Sequence, residues 1–284
     1  QLESPQMRRY IQELKPSNVR DLAAMVALYR PGPMAHIPQF IKCKHGLEQI
    51  KYPHPWLEDL LNETYGVIVY QDQVMQIAQI IAGYTLGQAD LLRRAMGKKK
   101  KEEMAKQREN FLAGATAKGV AEKTAAYIFD LLEPFAGYAF NKAHAVCYAM
   151  LSYQTAYLKA NYPVEYMAAL LACYIEKSDK LVSCMDDCKR MNIRVLPPDI
   201  NKSLADFSVE NGSIRFGLVA IKNVGRAAVD TIIRVRERDG AFSSLSDFAY
   251  RVLTEEGTGV TRSVIETLIN TGAFDQLPRH NVRR

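Results

Sequence analysis

The chain has 284 residues, 48% apolar and 24% charged, with five cysteines and a formal net charge of +6. That length favours two domains over one, and the composition is that of a soluble globular protein able to bury real cores. No run approaches the roughly eighteen apolar residues of a membrane span, and the Gln1-Leu2-Glu3-Ser4 start has no secretion signal, so a cytoplasmic protein with no membrane partner is expected. Without an initiator Met the chain reads as a piece of a longer one.

Taken in order, residues 1 to about 30 read as helix, with Leu22, Met25, Val26 and Tyr29 on one face, broken by Tyr29-Arg30-Pro31-Gly32-Pro33. Gly66-Val67-Ile68-Val69-Tyr70 is a short β-like run. A helix with Val74, Ile77, Ala78 and Ile81 on one stripe follows and ends at Gly83. Thr85-Leu86-Gly87-Gln88 fits a capping box opening a helix that carries Arg93 and Arg94 and stops at Gly97. Glu102 and Glu103 suit the first turn of the next helix, which ends near Gly119, and a further one runs to Glu133-Pro134.

Phe135 to Phe140 is an aromatic, glycine-containing loop. Asn141 is the expected N-cap of a long helix with an apolar stripe of Val146, Met150, Tyr153 and Tyr157, and Pro163 suits position N1 of the next helix. Composition changes near residue 193, which places a boundary between residues 190 and 206. Ile193 to Leu196 reads as a strand, and Glu210-Asn211-Gly212-Ser213 is a strong hairpin signal. Helical pattern returns over 225–238 and 261–270.

Three constellations can carry chemistry. Residues 91–101 hold six cations and no acid. Charge this dense repels itself unless an anion approaches, and phosphate is the first candidate: arginine forks two phosphate oxygens while lysine adds compact charge. The bland alternative is a solvated cluster complementing a helix dipole. Second, Asn141-Lys142-Ala143-His144 opens a helix whose unpaired N–H groups form an anion site, with Lys142 able to pair with phosphate and His144 to donate a bond or proton. A capped helix with a half-buried histidine is the competing reading.

Third, Ile221-Lys222-Asn223-Val224-Gly225, followed by a helix from Arg226, fits a helix-hairpin-helix, with Asn223 in place of the usual first glycine as the best non-glycine occupant of a left-handed site. Leu268-Ile269-Asn270-Thr271-Gly272 looks like a more degenerate copy, although hairpins of this kind are also common packing hardware. No carboxylates pair as a metal site: Asp186 and Asp187 point apart on a helix, and Asp59, Asp72, Asp90 and Asp130 stand alone. The cysteines, at 43, 147, 173, 184 and 188, read as reduced thiols; Cys184 and Cys188 lack partners for a zinc tetrahedron.

The runs YRPGP (29–33), KHG (44–46), TYGVIVYQDQVMQIAQIIAGYTLGQADLLRRAMGKKK (64–100), FAGYAFNKAHA (135–145), SYQTAYLKANYPVEYMAALL (152–171) and VLPPDIN (195–201) resemble, in order and over essentially the whole chain, the bacterial replicative DNA polymerase III alpha subunits, the C-family polymerases. The resemblance implies a mainly α fold: a connector over 1–30 after a palm, a multi-helix fingers domain over 31–195, and a small α+β region over 196–284 with a β-hairpin and tandem helix-hairpin-helix. It implies nucleotidyl transfer from a dNTP to a primer–template. The catalytic aspartates and their Mg2+ would lie in the palm upstream and the clamp-binding motif downstream, so this fragment alone is expected to be inactive.

By motif, Arg93, Arg94, Asn141, Lys142 and His144 resemble the residues facing the incoming nucleotide, with His144 or Lys142 a possible general acid. Arg30, Lys98, Lys99 and Lys100 are weaker phosphate or template candidates, and Lys222, Asn223, Gly225 and Arg226 fall where the family's hairpin meets duplex DNA. Partners implied are dNTP, primer–template DNA, and, through the full-length chain, the sliding clamp and other replisome subunits. The alternative is a non-catalytic helix-hairpin-helix module gripping DNA.

Overall fold

A computed structural model describes residues 2–98, 101–136 and 140–277. Within them the chain is mainly helical, with one small three-stranded sheet late in the sequence, the fold class its sequence predicts. It divides into two compact units, Gln1–Thr155 and Ala156–Arg284; the compositional change near residue 193 lies inside the second.

In the first unit, α1 (Pro5–Leu14) and α2 (Val19–Leu28) replace the single helix expected over the first thirty residues. Lys15 turns left-handed at φ 47°, and Pro16 then has no N–H with which to continue the helix. Asn18 restarts it by accepting from the Asp21 amide at 3.0 Å. α3 (Ile37–Lys44) follows, and its Phe40 packs with Met7, Leu14, Met25 and Leu28 in one core.

The β-like run at 66–70 is not a strand, because its backbone donors are taken locally. Gly66 and Val67 donate to the carbonyls of Leu61 and Thr64. The Val69 and Tyr70 amides both donate to the buried Gln73 Oε1, at 2.8 and 3.1 Å. Only an isolated parallel bridge joins Tyr70 to Phe140.

Helices α4 (Glu58–Leu61), α5 (Gln71–Ala82), α6 (Leu86–Lys98), α7 (Lys101–Ala117) and α8 (Glu122–Ala136) enclose a second core that includes Leu61, Ile77, Ile81, Leu92, Phe111, Phe129 and Leu132. Gly83 caps α5 at φ 68°, and the predicted capping box is present: the Gln88 amide donates to Thr85 Oγ1 at 3.3 Å, and the Thr85 amide to Gln88 Oε1 at 2.8 Å. Two expected stops fail. α6 runs through Gly97 and α8 through Pro134. Each breaker sits in a last turn, where few intrahelical bonds remain to be lost, and the preceding turns are anchored by Leu92 and by Phe129 and Leu132.

α9 (Lys142–Asn161) is capped by Asn141, whose Oδ1 accepts from the His144 amide at 3.0 Å. Its orientation corrects the predicted stripe: Val146, Met150, Tyr153 and Tyr157 are exposed, while Ala145 and Ala149 are fully buried. The helix packs through its small residues, one turn apart, and turns its large ones outward.

In the second unit, α10 (Pro163–Cys173) starts on Pro163 and is followed by α11 (Ser178–Arg190). Strands β1 (Val195–Leu196), β2 (Ser208–Glu210) and β3 (Ser213–Arg215) run in the order β1-β3-β2, with β1 parallel and β2 antiparallel to β3. Asn211 and Gly212 take φ of 49° and 74°, the paired left-handed turn that the Asn-Gly dipeptide predicts. Then α12 (Arg226–Asp239), α13 (Leu245–Leu253) and α14 (Arg262–Asn270) close a core around Val229, Ile232, Phe242, Phe248 and Leu268. Among the described residues no helix is long and apolar enough to cross a membrane.

Candidate nucleotide and nucleic-acid interface

The residues at the start of α9 are held by the turn network just described. The Tyr70–Phe140 bridge sets Phe140 beside the buried Tyr70, and the chain then enters α9. Lys142 Nζ pairs with Glu63 Oε1 and lies 5.5 Å from the centre of the Tyr70 ring. Burial first, then the Glu63 charge, pushes the Tyr70 phenol far above its ordinary pKa, so it stays neutral beneath the ammonium.

Arg30, at the end of the YRPGP turn, stacks its guanidinium 3.5 Å over Phe140. His144 meets the same ring edge-on at 5.1 Å and lies against Tyr148 at 4.5 Å. Arg30, Asn141, Lys142 and His144, nominated separately from sequence, therefore form one cluster at an exposed helix N-terminus. Such an end offers unpaired amides and partial positive charge, complementary to phosphate.

Arg93 and Arg94 form a second cluster, on a helix of the other core. Both bind one carboxylate: Arg93 Nη2 and Nε reach Asp90 Oδ1 at 2.7 and 3.0 Å, and Arg94 Nε reaches Oδ2 at 2.8 Å. Asp90 is therefore not isolated, and the basic run has its acid one turn upstream. Asp130 likewise pairs with Arg108. The printed contacts of the two clusters share no residue. Lys98 ends α6, its side chain is outside the described set, and Lys99 and Lys100 lie outside the described residues. A polar cleft of about 510 Å³ between α5, α6 and α7, lined by Tyr84, Gln88, Lys106, Gln107 and Asn110 among others, contains none of the nominated residues.

In the second unit Asn223 adopts the expected left-handed conformation, φ 69°. Lys222, Asn223, Gly225 and Arg226 are all exposed. Gly225 caps α12 without a side-chain hydrogen bond, so the first amides of α12 are left to an outside acceptor. Arg226 reaches both Asp206 and Asp230 at 3.3 Å. What precedes the hairpin corrects the expected helix: it is a three-residue 3-10 turn, Leu218–Ala220, tethered by the Leu218 and Val219 amides to the carbonyls of Leu204 and Ala205. In the second copy Gly272 is left-handed at φ 77°. The residues to Leu277 are turns, and those that follow lie outside the described set.

The sequence gave no signal for Glu63 or Asp90, whose partners lie across the fold or one turn away, or for Gly259. An added Cβ there would sit 2.8 Å from the Ala228 nitrogen, so this glycine lets the 257–260 loop press on the start of α12. Cys184 and Cys188 are buried, and burial, then Cys184 and Asp187, pushes the Cys188 thiol up to about 11. Among the described residues no three His, Cys, Asp or Glu side chains group as a metal site.

A family model described as bacterial DNA polymerase III alpha subunit finger domain matches residues 1–119, and a helix-hairpin-helix motif model matches residues 192–284. The DNA polymerase III subunit alpha of Borreliella burgdorferi is 50% identical over 280 residues, covering 99% of this chain and 24% of the relative. The chain belongs to the bacterial DNA polymerase III alpha subunit family. Within that family, the subunit of Thermus aquaticus is 51% identical over 280 residues, covering 97% of this chain and 23% of its own length. That of Escherichia coli is 49% identical over 288, covering 99% and 25%. The chain thus spans about a quarter of the DNA polymerase III alpha relatives it matches, in their fingers and helix-hairpin-helix region.

Proposed function

We propose that this chain is the fingers part of a replicative DNA polymerase, binding the incoming dNTP through Arg93, Arg94, Asn141, Lys142 and His144. Arg30 joins that surface, and Lys98, Lys99 and Lys100 extend it. Duplex DNA is gripped through Lys222, Asn223, Gly225 and Arg226. The observation that carries the reading is the α9 N-terminus, where Asn141, Lys142 and His144 meet Arg30 across Phe140. Positive groups fixed on a helix end suit a polyphosphate better than a neutral ligand.

The described carboxylates of this chain do not group as a magnesium site, so no step is routed through a metal held here. Mg2+ and the catalytic aspartates belong, on this reading, to the palm elsewhere in a longer cytoplasmic chain, and this fragment alone is inactive. Sliding-clamp and replisome contacts are made by that longer chain. His144 or Lys142 protonates the departing pyrophosphate.

In the intact polymerase, Arg93→Ala and Lys142→Ala should each raise the dNTP KM about tenfold or depress kcat to match, the scale of one lost charge-assisted phosphate contact. Primer–template affinity should barely move. Wild-type kinetics in both variants would remove the site assignment. A His144→Gln enzyme with an unchanged pH–rate profile would leave Lys142 as the acid.

A second reading, a non-catalytic DNA-gripping module, draws on the left-handed Asn223 and the open start of α12. It expects tight duplex binding by the isolated chain, with log K falling by about 0.9 per phosphate contacted for each tenfold rise in salt, and no response to added dNTP. A response of that binding to dNTP favours the fingers reading.

A further inference from the structure

The Arg93–Arg94 pair poses a physical problem that its neighbour resolves. Two adjacent guanidiniums repel, and successive residues on a helix diverge by about 100°. Asp90 stands one turn upstream, three and four positions away, the two spacings that lie on its own face. One carboxylate oxygen takes two donors from Arg93 and the other takes one from Arg94.

We infer that Asp90 is a positioning residue that draws Arg93 and Arg94 together into one double guanidinium for the nucleotide's phosphates. The inference rests on the proposed nucleotide-binding role of the pair. Each guanidinium has five N–H donors, and these contacts use two of Arg93 and one of Arg94, so most remain to be offered. Arg94 engages Asp90 through Nε, the stem end of its fork, while its side chain stays 64% exposed. A carboxylate competing with phosphate would instead occupy the outer Nη edge. The Arg93 hydrogen bonds, with Arg94 adding, hold the Asp90 carboxyl below its ordinary range, so it stays charged at neutral pH. Lys142 is held in a parallel way by Glu63.

The test compares steady-state dNTP incorporation by the intact polymerase with Asp90→Asn, Asp90→Glu and Arg93→Ala. Asp90→Asn should raise the dNTP KM about tenfold, the scale of a misplaced binding group, with a smaller change in kcat and unchanged primer–template Kd. Asp90→Glu keeps the charge, can still bridge both arginines and should recover most of the loss, which a purely structural role would not require. A wild-type KM in Asp90→Asn beside a raised KM in Arg93→Ala overturns the positioning role and leaves the nucleotide site standing. A lowered KM in Asp90→Asn also overturns it, because Asp90 would then be a competitor for phosphate. No recovery in Asp90→Glu has the same consequence. A wild-type KM in Arg93→Ala removes the nucleotide reading of the pair, and Asp90's role with it.

Discussion

Replacing Asp21 by alanine should loosen the first core by about 3–5 kcal/mol, the cost of breaking a buried ion pair from one side. Asp21 is 1% exposed and its carboxylate binds Lys44 Nζ at 2.8 Å, the Ser17 amide at 2.9 Å and the Tyr65 hydroxyl at 3.1 Å. Removing it strands the Lys44 ammonium, itself nearly buried, and cuts α2 from α3. Burial alone would raise the Asp21 pKa; Lys44 and the Ser17 amide outweigh it and bring the carboxyl below 3.8. The same cluster pushes the Tyr65 phenol up to about 12, through burial and then Asp21.

The sign of the pH dependence follows. A carboxyl whose folded pKa is depressed contributes its full stability above the ordinary value near 3.8, and that contribution disappears as pH falls through the lower, folded value. Hydrogen exchange of α2 and α3 amides reads both effects. Protection lost at neutral pH in Asp21→Ala, and lost by the parent only below about pH 4, is the expected pair of results. Unchanged protection in the variant would refute the role.

Gly114→Ala should cost about 3 kcal/mol, although alanine is the better helix former by about 1 kcal/mol. An added Cβ would lie 2.3 Å from the Ala82 carbonyl oxygen, far inside contact distance, so the close crossing of α5 and α7 exists only because position 114 has no side chain. The obstacle is backbone, which cannot swing aside, so strain exceeds the gain in propensity. The measurement is loss of exchange protection in α5 and α7. A variant more protected than the parent would show that the helices can part freely. Gly87, where an added Cβ meets nothing within 4 Å, serves as the control.

What could be read in the sequence was local. Gly83, Thr85 with Gln88, Asn141, Pro163 and the Asn211-Gly212 turn each fix the conformation of a few neighbouring residues, and each behaves as its chemistry dictates. What failed depended on partners distant in sequence or on which side of a helix finds the core. α9 shows this most plainly: hydrophobicity marks its large side chains as the inner face, yet Ala145 and Ala149 are inside, because close approach to a neighbouring surface rewards small residues. α13 passed unnoticed although Ser244 caps it and Phe248 and Val252 share its buried side.

The same division holds for the candidate site. Residue type nominated Arg93, Arg94, Lys142 and His144, since arginine pairs and helix N-termini suit anions wherever they occur. The stacking of Arg30 on Phe140 and the capture of Lys142 by Glu63 needed the fold, because more than sixty residues separate each pair. Asp90 was within reach of sequence reasoning: its spacing of three and four to the arginines is the ordinary helical ion-pair spacing.

Gln73 has a further consequence before the fold is complete. The five residues from Gly66 to Tyr70 combine apolar and β-branched character with no charge, the composition that drives strands of different molecules to stack. By taking the amides of Val69 and Tyr70 onto its own side chain, Gln73 leaves that stretch fewer donors with which to recruit a stranger. The safeguard exists only once the first turn of α5 has wound. During synthesis the segment is therefore unguarded from its emergence at the ribosome until that turn forms, a span of a few residues in which a chaperone has most to do.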